Sequence, residues 1–198
     1  MSRIISDALG VEGLIWAPDW ITPADADALL AAIDASPWSS QIASRRVQQY
    51  GWRYDYHRGQ VDHSMRLGEL PAWASALGER VVEAGWMETP EQVIVNEYLP
   101  GQGIANHIDH ALHFGPVVAS LSLCSGVWMR FRHDGQEREL WLEPRGLLVL
   151  TGPARWDWSH GIARRKGDVR DGVRVPRRRR VSITLRTMRL DEQIEQIM

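Results

Sequence analysis

Short apolar segments separated by turn residues fill the second half of this chain, and they constrain its fold more than any other feature. Each segment is five to ten residues long, and Gly, Pro or Asp recurs in the connections. Many short strands joined by tight turns are typical of a β-sandwich or a jelly roll. We therefore predict a mainly β fold with strands at 93–98, 104–109, 117–124, 127–133, 139–143, 146–151 and 180–189.

Two helices are predicted before these strands. Thr22 and Pro23 supply an N-cap hydroxyl and a first-turn proline, and Pro37 ends the helix. Its predicted apolar stripe comprises Ala28, Leu29, Ala32 and Ile33. The second helix is predicted at 70–86, with a buried face of Trp73, Leu77, Val81 and Val82. We predict a single domain over residues 1–198, with an N-terminal extension at 1–90 and a core at 91–189.

Two further segments carry weaker signals. Residues 45–57 alternate aromatic and polar side chains, which predicts half-exposed strands around a turn at Gly51. Residues 164–179 are charged and contain Gly without apolar periodicity, so we predict a mobile loop there.

The charge balance does not indicate a general nucleic-acid binder, because the formal net charge is −2. Basic residues nevertheless concentrate at 164–166 and 174–180, and Arg177 to Arg180 are consecutive. Such a run is either a solvated loop or a contact for phosphates, and the sequence leaves both interpretations open.

A single cysteine, Cys124, excludes intrachain disulfides and cysteine-based zinc clusters. It ends an apolar run, and we predict that it is a small buried core residue. The sequence shows neither a signal peptide nor an apolar run long enough to span a membrane, so we expect a cytoplasmic protein.

The segment before residue 110 carries a pattern of metal ligands. His107 and Asp109 stand two positions apart in a predicted strand, so their side chains share one face and can bind one cation. His160 is the best candidate for a third ligand. Two histidines and one carboxylate that leave open positions form the facial triad of non-haem Fe(II) oxygenases.

A different ligand set would use His107, His110 and His113. Their spacing places three imidazoles along one helical face, which requires a helix directly after Gly103. The following Gly115-Pro116 leaves such a helix little room, and we favour the triad.

Taken together, these motifs resemble a known family. The resemblance rests on segments 96–98, 100–104, 107–109, 120–123, 148–152, 158–161 and 180–186, which come in the family's order. It covers the chain from about residue 10 to residue 189. The chain is similar to AlkB-type Fe(II)/2-oxoglutarate-dependent dioxygenases, and most similar to the AlkB domain of the tRNA wobble-uridine hydroxylases. The resemblance implies a double-stranded β-helix (jelly roll) with N-terminal helices buttressing one sheet. It also implies Fe(II), 2-oxoglutarate as cosubstrate, and O₂.

The cosubstrate is a dianion, and two arginines could bind its carboxylates. Arg180 and Arg186 are six positions apart, so they share a strand face with Ser182 and Thr184. The resemblance implies that these arginines hold the two carboxylates and that Asn96 and Tyr98 assist from a neighbouring strand. We assign Arg180 with Tyr98 to the distal carboxylate, and Arg186 with Asn96 to the end near the iron.

The resemblance also places a substrate lid at 45–57. Trp52 and Tyr54 could stack on a base, Arg53 could contact a phosphate, and His110 could contact the base itself. The alternative is a hairpin whose aromatic residues pack on the core. DNA-repair members carry a second acid where this chain has Ala111, which makes alkylated-DNA repair less favoured.

The substrate expected from this resemblance is a modified base in nucleic acid, with RNA ahead of DNA. The same chemistry on a protein side chain or small metabolite is an alternative, and a non-catalytic jelly-roll binding module is another. We expect a monomer.

Overall fold

The computed structural model describes residues 3–190, and its helices and strands are mostly short. The helices are α1 (Pro23–Asp34), α2 (Ala72–Glu83) and α3 (Gly152–Trp156). The strands are β1 (Leu14–Ala17), β2 (Arg46–Tyr50), β3 (Gln92–Tyr98), β4 (Ile104–His107), β5 (Phe114–Leu123), β6 (Val127–His133), β7 (Gln136–Leu142), β8 (Leu147–Leu150), β9 (Ser159–Ile162), β10 (Gly167–Arg170), β11 (Val173–Pro176) and β12 (Arg180–Met188).

Most of these strands form two antiparallel sheets. The major sheet has the order β1-β8-β5-β12-β3-β2, and the minor sheet has the order β4-β9-β6-β7. One apolar cluster, which includes Trp16, Phe131 and Leu148, draws its residues from both sheets. The mainly β architecture predicted from the sequence is confirmed.

Strand β12 shows how the two faces of the major sheet differ. Val181, Ile183 and Leu185 are fully buried in the cluster that also contains the apolar faces of α1 and α2. The intervening residues Arg180, Ser182, Thr184 and Arg186 line a cavity on the opposite face. Because side chains alternate along a strand, one sequence supplies both an apolar core and a polar site.

The two predicted helices form, and their buried faces differ in detail from the prediction. Thr22 and Asp25 make a reciprocal capping box at the start of α1. The buried face of α1 comprises Ala26, Leu29 and Ile33. Ala28 is exposed and Ala32 is half-buried, and on α2 Val82 is exposed while Ala74 and Gly78 are buried.

The structure corrects the prediction of two strands within 45–57. Only β2 is a strand there, and it pairs with β3. After Gly51 the chain continues in turns with isolated bridges, one between Asp55 and Gln60. The backbone amides of His57 and Arg58 donate to the Asp55 carboxylate, which stabilises a tight turn in place of a second strand.

The prediction of a mobile loop at 164–179 is wrong. Strands β10 and β11 form a hairpin whose turn residues, Asp171 and Gly172, both have positive φ. Arg177 is buried and donates to both carboxylate oxygens of Asp168, at 2.6 and 2.9 Å. Arg179 pairs with Asp34 and Glu97, so both arginines form ion pairs within the chain.

Cys124 is exposed, which contradicts the predicted core position. It follows the last residue of β5 with φ of 70°, and this left-handed conformation turns the chain out of the strand. None of the helices in the described range 3–190 has the length and apolarity needed to cross a membrane.

Candidate active site

The predicted triad assembles at the edge of the minor sheet. His107 ends β4 and lies directly opposite His160 of β9, and Asp109 follows β4 by two residues. One potential ligand atom from each residue lies within 4.8 Å of the others. The alternative set of three histidines is wrong, because residues 104–107 are a strand and not a helix.

The hydrogen bonds of His107 leave its other ring nitrogen available for a metal. Its Nδ1 is 2.9 Å from the carbonyl oxygen of Ala105. A carbonyl only accepts, so Nδ1 carries the proton and Nε2 has a free lone pair. This arrangement, together with an ionised carboxylate and a second imidazole, fits the donor set for Fe(II).

Charges around Asp109 keep it ionised. Burial alone raises its pKa, but Arg186, whose guanidinium pairs with the carboxylate, and the two histidines outweigh burial and hold the pKa well below its usual range. Burial also lowers the pKa of His160 to about 4. Both residues are therefore in the form that binds a cation at neutral pH.

Arg155 holds the chain around Asp109 in place. Its side chain is 1% exposed, and its three nitrogens donate to the carbonyl oxygens of Asp109, Phe114 and Gly115 at 2.9, 3.3 and 3.2 Å. A single guanidinium thus fixes both ends of the loop that carries the carboxylate ligand.

Arg180 and Arg186 point into the cavity with unused donors. Nη2 of Arg180 donates to Ser122 at 2.9 Å, and Nη1 of Arg186 donates to Gln92 at 3.1 Å. The Nε atoms of both arginines are buried without a partner in the described structure. Burial lowers the pKa of Arg180 to about 10, so it is still a cation at neutral pH. Two arginines with buried, unpaired Nε donors fit a dianion such as 2-oxoglutarate.

The neighbouring strand does not bring Arg186 and Asn96 together as predicted. In the β12–β3 register, Arg180 faces Tyr98, Ser182 faces Asn96 and Arg186 faces Gln92. Asn96 instead accepts a hydrogen bond of 2.7 Å from Nε of Arg45.

A cavity of about 340 Å³ extends from the triad between the sheets. Its floor is largely apolar, with Ile94, Val118, Met129, Leu148, Leu150 and Ile162 among the lining residues. Tyr54 and His110 line it as predicted. Trp52 does not line it and packs with Val61 and Met65, and Arg53 is exposed to solvent.

The sequence analysis missed several lining residues, among them Tyr56 and Arg45. Tyr56 shares the cavity with Tyr54, and a signal for it existed, since the two tyrosines are two positions apart in the segment where aromatic and polar residues alternate. Arg45 has no comparable signal, because its place depends on how β2 pairs with β3.

Comparisons with known proteins agree with this geometry. A family model described as the 2OG-Fe(II) oxygenase superfamily matches residues 13–186. The Arabidopsis thaliana protein named "Alkylated DNA repair protein ALKBH8 homolog" is 37% identical over 212 aligned positions, which cover 94% of this chain and 61% of that protein. The Xenopus tropicalis protein named "tRNA (carboxymethyluridine(34)-5-O)-methyltransferase alkbh8" is 35% identical over 166 positions, which cover 79% of this chain and 26% of that protein. This chain thus spans less than two thirds of either relative.

A solved structure titled "The structure of OsALKBH1" matches with a TM-score of 0.66 at 15% identity, covering 88% of this chain and 96% of that one. At this identity the likeness concerns the fold alone. It confirms the predicted jelly roll with helices against one sheet.

Proposed function

This chain belongs to the 2OG-Fe(II) oxygenase superfamily, and from this premise we propose that it hydroxylates or oxidatively demethylates a modified nucleobase, in RNA ahead of DNA. Membership and the assembled triad make it a 2-oxoglutarate-dependent dioxygenase that uses Fe(II) and O₂. The alternative of a non-catalytic binding module is therefore wrong. The cytoplasmic location and monomeric state remain predictions.

His107, Asp109 and His160 would hold the iron, which supplies the activation of O₂ needed to oxidise a substrate C–H bond. Arg155 keeps the carboxylate ligand in position, and the ion pair with Arg186 keeps that ligand ionised.

Arg180 and Tyr98 would bind the distal carboxylate of 2-oxoglutarate. The Arg180 guanidinium lies 5.5 Å from the Tyr98 ring centroid, and the unpaired Nε of Arg180 is ready for an acceptor. Ser182 and Asn96 stand opposite each other at the centre of the same wall, where they would contact the cosubstrate. Arg186 would contact the end of 2-oxoglutarate that lies near the metal.

The observation that carries the nucleobase proposal is the pair of tyrosines over the cavity. Tyr54 packs against Tyr56 and Phe114, with ring centroids 5.1 and 5.7 Å apart, and all three line the space beside the triad. A flat aromatic substrate can stack on such rings, and every base offers a π-face. The names of the two relatives, which refer to DNA repair and to a tRNA nucleoside, support this substrate class.

The first test of this proposal is anaerobic titration of the protein with Fe(II) and 2-oxoglutarate. We expect the weak visible charge-transfer band of the chelate, and we expect Asp109→Ala to lose it, since the carboxylate ligand is gone. The wild-type protein is then incubated with methylated oligonucleotides and with tRNA, and the nucleosides are analysed by mass spectrometry.

Gain of one oxygen atom indicates hydroxylation, and loss of a methyl group with release of formaldehyde indicates demethylation. A folded wild-type protein that forms no band would overturn the site. A band without any change in nucleosides would overturn the nucleobase proposal and favour a protein or metabolite substrate.

A further inference from the structure

Arg45 connects two parts of the cavity. It directly precedes β2. Its guanidinium lies 5.8 Å from the ring centroid of Tyr56, in the turns at residues 52–60 that we call the lid here, and 5.9 Å from the ring centroid of Tyr98 in the cavity wall. Its Nε also donates to Oδ1 of Asn96 at 2.7 Å. The same cation thus contacts the lid and two residues of the proposed cosubstrate wall.

The hydrogen bond to Asn96 determines which end of that side chain faces the cavity. Arginine has donors and no acceptor, so the atom of Asn96 that it contacts must be the carbonyl oxygen. The NH₂ group at the other end of the carboxamide has no hydrogen-bond partner among residues 3–190. It is therefore left as a donor for an anionic ligand in the cavity.

The lid residue that Arg45 contacts lies in a well-defined turn. Tyr56 directly follows Asp55, whose carboxylate accepts hydrogen bonds from two backbone amides at 2.9 and 3.1 Å. Asp55 also pairs with Gln60 across the turn. Movement of this turn would remove one aromatic face from the Arg45 guanidinium.

We propose that Arg45 is a positioning residue that orients the Asn96 amide toward 2-oxoglutarate and couples cosubstrate binding to ordering of the lid. It does not touch the reacting atoms. When 2-oxoglutarate accepts a bond from Asn96, the Asn96–Arg45 bond is fixed in turn, and Arg45 then offers Tyr56 a static surface. This inference rests on the proposed function, because it requires that 2-oxoglutarate binds in the cavity.

The neighbouring residue supplies a matched control. Arg46 is also an arginine at the start of β2, but it points to the other face of the sheet and pairs with Glu97 at 2.6 Å. Arg46→Ala removes the same side chain from the same strand end without touching Asn96 or Tyr56.

The test makes two measurements. The affinity for 2-oxoglutarate is measured from the Fe(II) chelate band. Amide hydrogen exchange of residues 52–60 is measured in the Mn(II)-loaded protein, with and without 2-oxoglutarate. In the wild type we expect 2-oxoglutarate to slow exchange of the lid amides. In Arg45→Ala we expect about tenfold weaker 2-oxoglutarate binding and no slowing at the lid, with Mn(II) affinity unchanged. Arg46→Ala should behave as the wild type in 2-oxoglutarate affinity, lid exchange and Mn(II) affinity.

Tyr56→Ala tests the coupling from the lid side. Because Tyr56 is a half-buried turn residue, we expect this variant to fold, and it replaces Arg45→Ala as the test if Arg45→Ala does not fold. We expect this variant to lose the slowing at the lid while it keeps most of its 2-oxoglutarate affinity. An unchanged 2-oxoglutarate affinity in Arg45→Ala would overturn the positioning role. If 2-oxoglutarate does not change the hydrogen exchange of the lid amides in the wild type, the coupling is overturned. Failure of the proposed function is distinct, since the wild type itself would then form no chelate band.

Discussion

At the scale of single residues, the site depends on buried arginines as much as on its metal ligands. Arg155 binds three backbone carbonyls around Asp109 and lies over the Trp156 ring, 4.2 Å from its centroid. Lysine has one compact ammonium group and cannot reproduce a planar fork that reaches three acceptors. With lysine in place of Arg155, the loop that carries the carboxylate ligand would lose some of the hydrogen bonds that hold it.

We predict that Arg155→Lys weakens metal binding by about tenfold to a hundredfold, because groups that orient a ligand typically contribute this much. Mn(II) affinity measured by electron paramagnetic resonance checks this directly. Arg170→Lys is the control, since Arg170 also lies over a tryptophan, Trp141, but it belongs to the β10–β11 hairpin, pairs with Glu143 and does not line the cavity. Unchanged Mn(II) affinity in a folded Arg155→Lys protein would refute the role of Arg155.

The residues that the sequence could predict are those fixed by local spacing. His107 and Asp109 follow from their separation of two, and Arg180 and Arg186 follow from an even spacing along one strand. Arg45 enters the site only through the pairing of β2 with β3, which no local pattern encodes. Long-range register therefore decides which further side chains reach the cavity.

At the scale of elements, the sequence predicts a strand where a short apolar segment is bounded by turn residues. The hairpin of β10 and β11 was missed although its Asp171-Gly172 dipeptide is a strong turn signal, because the surrounding charges hid the alternation of Val169, Val173 and Val175. The exposed Cys124 was missed because the backbone turn after β5 gives no sign in the apolar run before it.

A carboxylate on β3 joins several elements. Glu97 is 2% exposed and accepts hydrogen bonds from Arg46 of β2 and from Arg179 just before β12 at 2.6 and 2.8 Å. Arg179 also pairs with Asp34 at the end of α1. The network thus ties the helix layer to three strands of the major sheet.

This network predicts a loss of stability in acid. Burial raises the pKa of Glu97, but the hydrogen bonds from Arg46 and Arg179 outweigh it and lower the pKa below its ordinary value. A carboxyl whose pKa is lowered on folding stabilises the protein above its unfolded pKa, and this contribution is lost as the pH falls below about 4.5.

We expect Glu97→Gln to lower the free energy of unfolding by roughly 1–3 kcal/mol at neutral pH and by clearly less near pH 4. Urea denaturation of both proteins at the two pH values measures the difference. An equal difference at both pH values would show that Glu97 acts through packing and not through its charge.

At the scale of the whole molecule, ion pairs within the chain occupy many of the arginines. Arg177, Arg179, Arg130 and Arg132 are all paired with acids of the same chain, which agrees with a net charge of −2. Exposed cations without an ion-pair partner in the described residues include Arg53, Arg164, Lys166, Arg174 and Arg178. Few phosphates can therefore be neutralised when nucleic acid binds, and affinity should come mainly from the stacked base.

This charge distribution predicts a weak dependence of RNA binding on salt. Each phosphate contact to a single strand contributes about −0.7 to the slope of log affinity against log salt concentration, so three or four contacts give a slope of about −2 to −3. Fluorescence anisotropy with a short single-stranded RNA at several salt concentrations measures this slope. Replacing Arg164 and Lys166 by Gln should reduce its magnitude by about 1.4, whereas Arg170→Gln, which removes a cation paired with Glu143, should leave it unchanged. A wild-type slope of about −6 or steeper would contradict the prediction, because the internally paired arginines would then have to release their acids and bind phosphate.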